Sequence, residues 1–129
     1  MKIEVQNGWK VFGISPKQPN NVVMYWDSRK KKKFAMVKQI YQFDNGSGGV
    51  EQAVLVEPIL DVFPKALDGP SRNFWYYLHL MGCIVGELKV NVTFLLNVND
   101  VKAVVAYRKL PPHTFGLARG GMILKPIDL

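Results

Sequence analysis

Cysteine and histidine are nearly absent from this chain of 129 residues, which holds one cysteine, Cys83, and two histidines, His79 and His113. A single thiol makes no internal disulfide, and it completes no zinc set with two histidines so far apart. Glu57, Asp61 and Asp68 lack the spacing of a calcium loop. His79 and Cys83 stand four residues apart, which would place them on one helical face, but no nucleophile motif surrounds them. A core histidine and a buried thiol are the expectation. With no triad, metal set or cofactor loop, the chain reads as non-enzymatic and cofactor-free.

Long apolar runs are missing as well. The most apolar stretch, FWYYLHLMGCIV at residues 74–85, is too short to cross a bilayer as a helix. The opening segment MKIEVQNGWK has neither the apolar core nor the small-residue cleavage site of a signal peptide. Asn91-Val92-Thr93 matches the glycosylation pattern, but it falls within a strand signal in a chain without an export signal. The expected address is intracellular, cytoplasm or nucleus. Repeats, heptads and low-complexity linkers are also absent.

What remains supports a packed domain. Hydrophobic residues make up 48% of the chain and are spread along it, so residues 1–129 are expected to form a single compact domain. Asn7-Gly8 sits between two short strand signals and reads as a hairpin turn. The loop SPKQPNN follows, then the β-branched and aromatic run VVMYW at 22–26. Residues 34–43 fit a strand better than a helix, and DNGSGG turns the chain into a second strand at 50–60, which Pro58 should end or push to an edge. The connection at 61–72 leaves room for a short helix at 64–67.

Residues 74–85 suit a strand buried on both faces or a core helix entered through Pro70 and Ser71, and their aromatics favour the strand. Residues 86–97 alternate strictly, with Leu88, Val90, Val92, Phe94 and Leu96 on one side. Residues 101–110 fit either element until Pro111-Pro112 stops them. The sum is a mainly β fold of six to eight short strands, a small sandwich or barrel, with one or two short helices; α+β is the alternative.

Charge is the feature that points outward. The net charge is +7, and it is unevenly placed: residues 1–43 carry +7, residues 44–100 carry −4 and residues 101–129 carry +4. Such asymmetry attracts polyanions and responds to salt. Five consecutive bases, Arg29, Lys30, Lys31, Lys32 and Lys33, lie between Trp26 and Phe34. At a hairpin tip they would reach phosphates and release counterions, while Tyr25, Trp26 and Phe34 would offer faces to unpaired bases. Lys38, Arg108 and Arg119 are candidates to extend that surface. The competing reading pairs Trp26 with Phe34 across the hairpin toward the core and leaves a solvated tip.

Single-stranded nucleic acid is therefore the first expected partner. An anionic membrane surface is the second, since each Lys or Arg near such a leaflet contributes on the order of 1 kcal/mol. Fifteen aromatic residues exceed what one small core readily hides, so self-association is expected too. The alternative function is then a self-assembling structural subunit, of the kind a viral matrix or coat uses, that meets a membrane or packaged genome. An enzyme with an unrecognised site ranks third.

Overall fold

A computed structural model describes residues 2–7, 10–62, 69–89, 91–118 and 120–126. Among them are ten strands and one α-helix, so the fold is mainly β. Strands β1 (Ile3–Asn7) and β2 (Lys10–Ile14) form a separate hairpin with Asn7 opposite Lys10. Asn7 is thus a paired strand residue and not one of two central turn residues, which shifts the connection one position beyond the expected Asn7-Gly8 turn; residues 8 and 9 lie outside the described residues. The expected helix at 64–67 lies outside the described residues.

The main sheet is organised around β3 (Val22–Trp26), β4 (Lys32–Asp44) and β5 (Val50–Asp61). β3 is buried on both faces from Val22 to Tyr25, which accounts for its apolar run, and only Trp26 at its end is exposed. Val23 and Tyr25 join Ile3, Val5 and Ile14 of the β1–β2 hairpin in one core, together with Ala35, Val37, Ile40, Val54 and Val56. Val22 and Met24 face the other way, into a second core with Phe34, Met36, Ile59, Met122 and Leu124.

The second core is enclosed because the sheet closes. Its strand order runs β8 (Val101–Val104), β3, β4, β5, β6 (Ile84–Leu88), β10 (Met122–Lys125), β9 (Ala106–Lys109), with β7 (Phe94–Asn97) also on β5. β8 and β9 stand at opposite ends of that order, yet one residue joins them. This residue, Val105, is buried, and its amide donates to the Val22 carbonyl at 2.9 Å. One run of chain thus leaves β3 and continues onto β10 (Met122–Lys125), which makes a small barrel of the sheet and removes two open edges.

Two regions differ from the sequence expectation. Residues 74–85 are not one element: α1 (Gly69–Leu80) occupies the first part and β6 (Ile84–Leu88) begins just after it. Gly82 makes the junction with φ 75°, its amide donating to the His79 carbonyl and that of Cys83 to Leu78. Both bonds satisfy terminal carbonyls of the helix, and glycine takes that left-handed position without a Cβ clash. Aromatics favoured a strand here, but α1 buries Leu78 against Val85 and Phe115 and leaves Phe74, Tyr76 and Tyr77 exposed. His79 is exposed and Cys83 only half-buried, which corrects their expected core placement.

The alternating run at 86–97 is likewise interrupted. β6 pairs with β5 through Leu88↔Ile59, and β7 (Phe94–Asn97) pairs with β5 through Phe94↔Val56. Between them Lys89 still donates to β5, residue 90 lies outside the described residues, and Asn91 takes φ 66°. Pro58 explains the position of the break. It lies inside β5, opposite Ala35 on one side, while its carbonyl accepts from Lys89 on the other. A strand residue points its N–H and C=O to the same side, so the donor that proline lacks faces the interruption.

Candidate nucleic-acid interface

The basic run forms the β3–β4 tip, and one acid organises it. The Asp27 carboxylate accepts from the amides of Arg29 and Lys31, both at 2.9 Å. The backbone closes beside it, Asp27 donating to the Lys31 carbonyl at 3.0 Å and Lys30 to the Asp27 carbonyl at 2.9 Å, with Lys30 at φ 58°. The amides of Lys31 and Arg29, and then the charges of Lys33 and Lys31, hold the Asp27 carboxyl below its ordinary range. With its backbone fixed in this way, the turn leaves the side chains of Arg29, Lys30, Lys31, Lys32 and Lys33 exposed.

The three aromatic candidates separate sharply. Tyr25 is 8% exposed and tilts against Phe94 at 5.8 Å between ring centres, and Phe34 is 6% exposed in the second core. Neither offers a face to a base. Burial, followed by the nearby Asp27 charge, raises the Tyr25 phenol pKa. Trp26 is 42% exposed. It does not pair with Phe34, because the register sets Trp26 against Lys32 and Met24 against Phe34. Both rings lie on the face of Met24, and their place along the hairpin separates them: Phe34 reaches the second core, while Trp26, nearer the tip, stays at the rim.

Lys102, absent from the sequence candidates, completes the rim. β8 slips by one residue where Met24 faces Ala103 and Tyr25 faces Val101. The extra residue of that bulge is Lys102, whose ammonium stands 5.7 Å from the centre of the Trp26 ring. A bulge has no reliable signature in one sequence, so nothing local marks this lysine.

A groove of about 920 Å³ opens between the tip and the end of α1. Lys32, Lys33 and Lys125 line it together with Leu60, Leu80 and Met81, and Asp61 adds a carboxylate. The Lys125 ammonium donates to the Met81 carbonyl at the end of α1, a place where the helix dipole favours a cation. The lining includes neither His113 nor Glu57.

The remaining candidates lie elsewhere. Lys38 is the bulged residue of β4 and pairs with Glu57 at 3.3 Å. Arg108 and Lys109 line a smaller hollow with Gln18 and Pro19, in the loop that enters β3 at the end away from the tip. Among the described residues, the basic C-terminal segment therefore meets the tip only through Lys102 and Lys125. Arg119 lies outside the described residues. Among those described, no three His, Cys, Asp or Glu side chains gather as a metal set, and no helix is long and apolar enough to cross a membrane.

No protein-family model matches this chain, and no curated protein or solved structure matches it significantly. Its function is read from its own residues.

Proposed function

We propose that this is a non-enzymatic, basic binding protein that engages single-stranded nucleic acid through the β3–β4 tip, in the cytoplasm or nucleus. The observation that carries the reading is the tip itself: five adjacent cationic side chains on a hydrogen-bonded turn, beside an exposed Trp26. Cations along a backbone track release counterions from phosphates, and an aromatic at their edge accepts any base by stacking. Five cations beside one exposed ring suit phosphate contacts and a single stacked base, a combination that favours binding with little sequence preference. A base on Trp26 takes the face that Lys102 leaves free or displaces Lys102 toward a phosphate.

A second reading is favoured by the groove. Lys32, Lys33 and Lys125 adjoin exposed Leu60, Leu80 and Met81, and cations beside apolar side chains also suit the headgroup boundary of an anionic membrane. On this reading the protein is a self-assembling structural subunit of matrix or coat type. Binding of labelled single-stranded RNA and DNA, with anionic and neutral vesicles in parallel, tests the choice. Nucleic-acid binding that weakens with salt supports the first reading, and vesicle binding without it supports the second.

A further inference from the structure

Strand β4 carries opposite charge at its two ends. Lys32 and Lys33 open it at the tip, Asp44 closes it, and Glu51 stands across the ladder from Phe43. From residue 39 to residue 64 the sequence has no Lys or Arg. The far end of the β4–β5 hairpin also projects from the sheet: pairing to β3 stops at Met36, and pairing to β7 stops at Ala53. Residues 42–44 and 50–52 therefore pair only with each other, and Tyr41 pairs with Ala53 at the base of this arm. The register puts Tyr41, Phe43 and Glu51 on one face of this arm, and all three are exposed. Its end is firm, since Asn45 Oδ1 accepts from the amides of Ser47 and Gly49 at 2.9 and 3.2 Å.

The groove at the other end of β4 is the chemical complement of this arm. It sets three lysines against one carboxylate, Asp61, around Leu60, Leu80 and Met81, a net positive rim, and Met81 is 57% exposed. The arm cannot reach its own groove. Twelve residues of β4 separate Lys32 from Asp44, about 40 Å of extended chain at about 3.3 Å per residue. We infer that the acidic, aromatic β4–β5 arm of one copy seats in the lysine-rimmed groove of the next, with Tyr41 and Phe43 covering the apolar floor, Glu51 on their face meeting Lys32, Lys33 and Lys125, and Asp44 adding its charge from the arm's other face. The contact joins two different surfaces, so it is heterologous and propagates into a ring or a filament. The arm side of the contact lies outside the tip, whereas the groove side shares Lys32 and Lys33 with it, so assembly and nucleic-acid binding draw on the same two lysines.

Charge reversal tests it in a form that controls for folding. Sedimentation velocity across micromolar protein should show wild-type oligomers that dissociate as salt rises. The arm variant Asp44→Lys/Glu51→Lys and the groove variant Lys32→Glu/Lys33→Glu should each lose the oligomer when alone, because like charges then meet; the neutral pair Asp44→Asn/Glu51→Gln should weaken assembly by roughly tenfold. Mixing the two reversed variants makes every arm complementary to its partner's groove and should restore oligomers. A wild type that stays monomeric overturns the inference, as does a mixture that does not reassociate or an oligomer indifferent to both reversals. The arm variant keeps Arg29 to Lys33, so its binding of labelled RNA reports on the tip separately.

Discussion

Asp27 and Lys31 are bonded twice across the β3–β4 tip, the Asp27 amide donating to the Lys31 carbonyl at 3.0 Å and the Lys31 amide donating to the Asp27 carboxylate at 2.9 Å. This pair turns a run of mutually repelling cations into a defined turn. The carboxylate neutralises part of their charge and fixes the backbone from which the side chains project.

The bonds to Asp27 make the tip sensitive to acid. Its carboxyl is held below the ordinary value in the folded protein, so the unfolded chain, with a pKa of about 3.9, takes up the proton first as pH falls. The stabilisation from Asp27 is complete above that value and is lost as pH drops through the lower, folded one. Urea midpoints between pH 6 and pH 2 should fall less steeply for Asp27→Asn than for wild type. Identical acid slopes would mean that the tip bonds do not stabilise the ionised form.

Trp26 and Phe34 should respond to substitution in opposite ways. Trp26→Ala removes an exposed ring and should cost about 1–3 kcal/mol of nucleic-acid binding, the worth of one stacked base, with little change in thermal midpoint. Phe34→Ala empties a core position and should cost about 3–5 kcal/mol of folding stability. Anisotropy titrations beside thermal melts separate the two, and unchanged RNA affinity in Trp26→Ala would remove stacking from the mechanism.

Lys102 and Arg108 form a second contrast. Lys102 stands over the Trp26 ring, whereas Arg108 lies beside the Gln18–Pro19 loop. Lys102→Ala should weaken RNA binding several-fold at low salt, and Arg108→Ala should leave it nearly unchanged. Equal losses from both would mean that the footprint extends beyond the tip.

Gly86 marks a close approach between strands. A Cβ at this position would lie 2.5 Å from Ile59 Cγ2 in the second core. Gly86→Ala should destabilise the fold by about 1–3 kcal/mol, the usual cost of overpacking, and chemical denaturation measures it directly. A neutral result would show that Ile59 has room to move.

Much of the architecture was legible because it is local. The first hairpin, the VVMYW strand and the β4–β5 hairpin follow from residue type and spacing, and the basic run sits at the β3–β4 tip, where the pairing of 22–26 with the strand after it puts it. The misreadings share a different cause. The break at residues 89–93 depends on Pro58 in a neighbouring strand, and the exposure of Phe74, Tyr76 and Tyr77 depends on what packs against α1. Alternation within 86–97 carries neither fact. Tyr25 and Phe34 were equally beyond local reading as stacking faces, since their burial is set by Phe94 and by the second core. Lys102 and Lys125 are isolated lysines in sequence and reach the tip only through a bulge and through closure of the sheet.

The most direct test of the tip as a nucleic-acid grip is the salt dependence of binding to a short single-stranded RNA. Wild type is compared with a variant in which Lys30, Lys31, Lys32 and Lys33 are all alanine. Each phosphate contact on a single strand contributes about −0.7 to the slope of log K against log salt. The wild type should bind with a steep slope, and the variant should bind weakly with a slope flatter by as much as about 2.8, the share of four lost contacts. A wild type that does not bind, or a variant that keeps the full slope, would contradict a phosphate-binding role for these lysines.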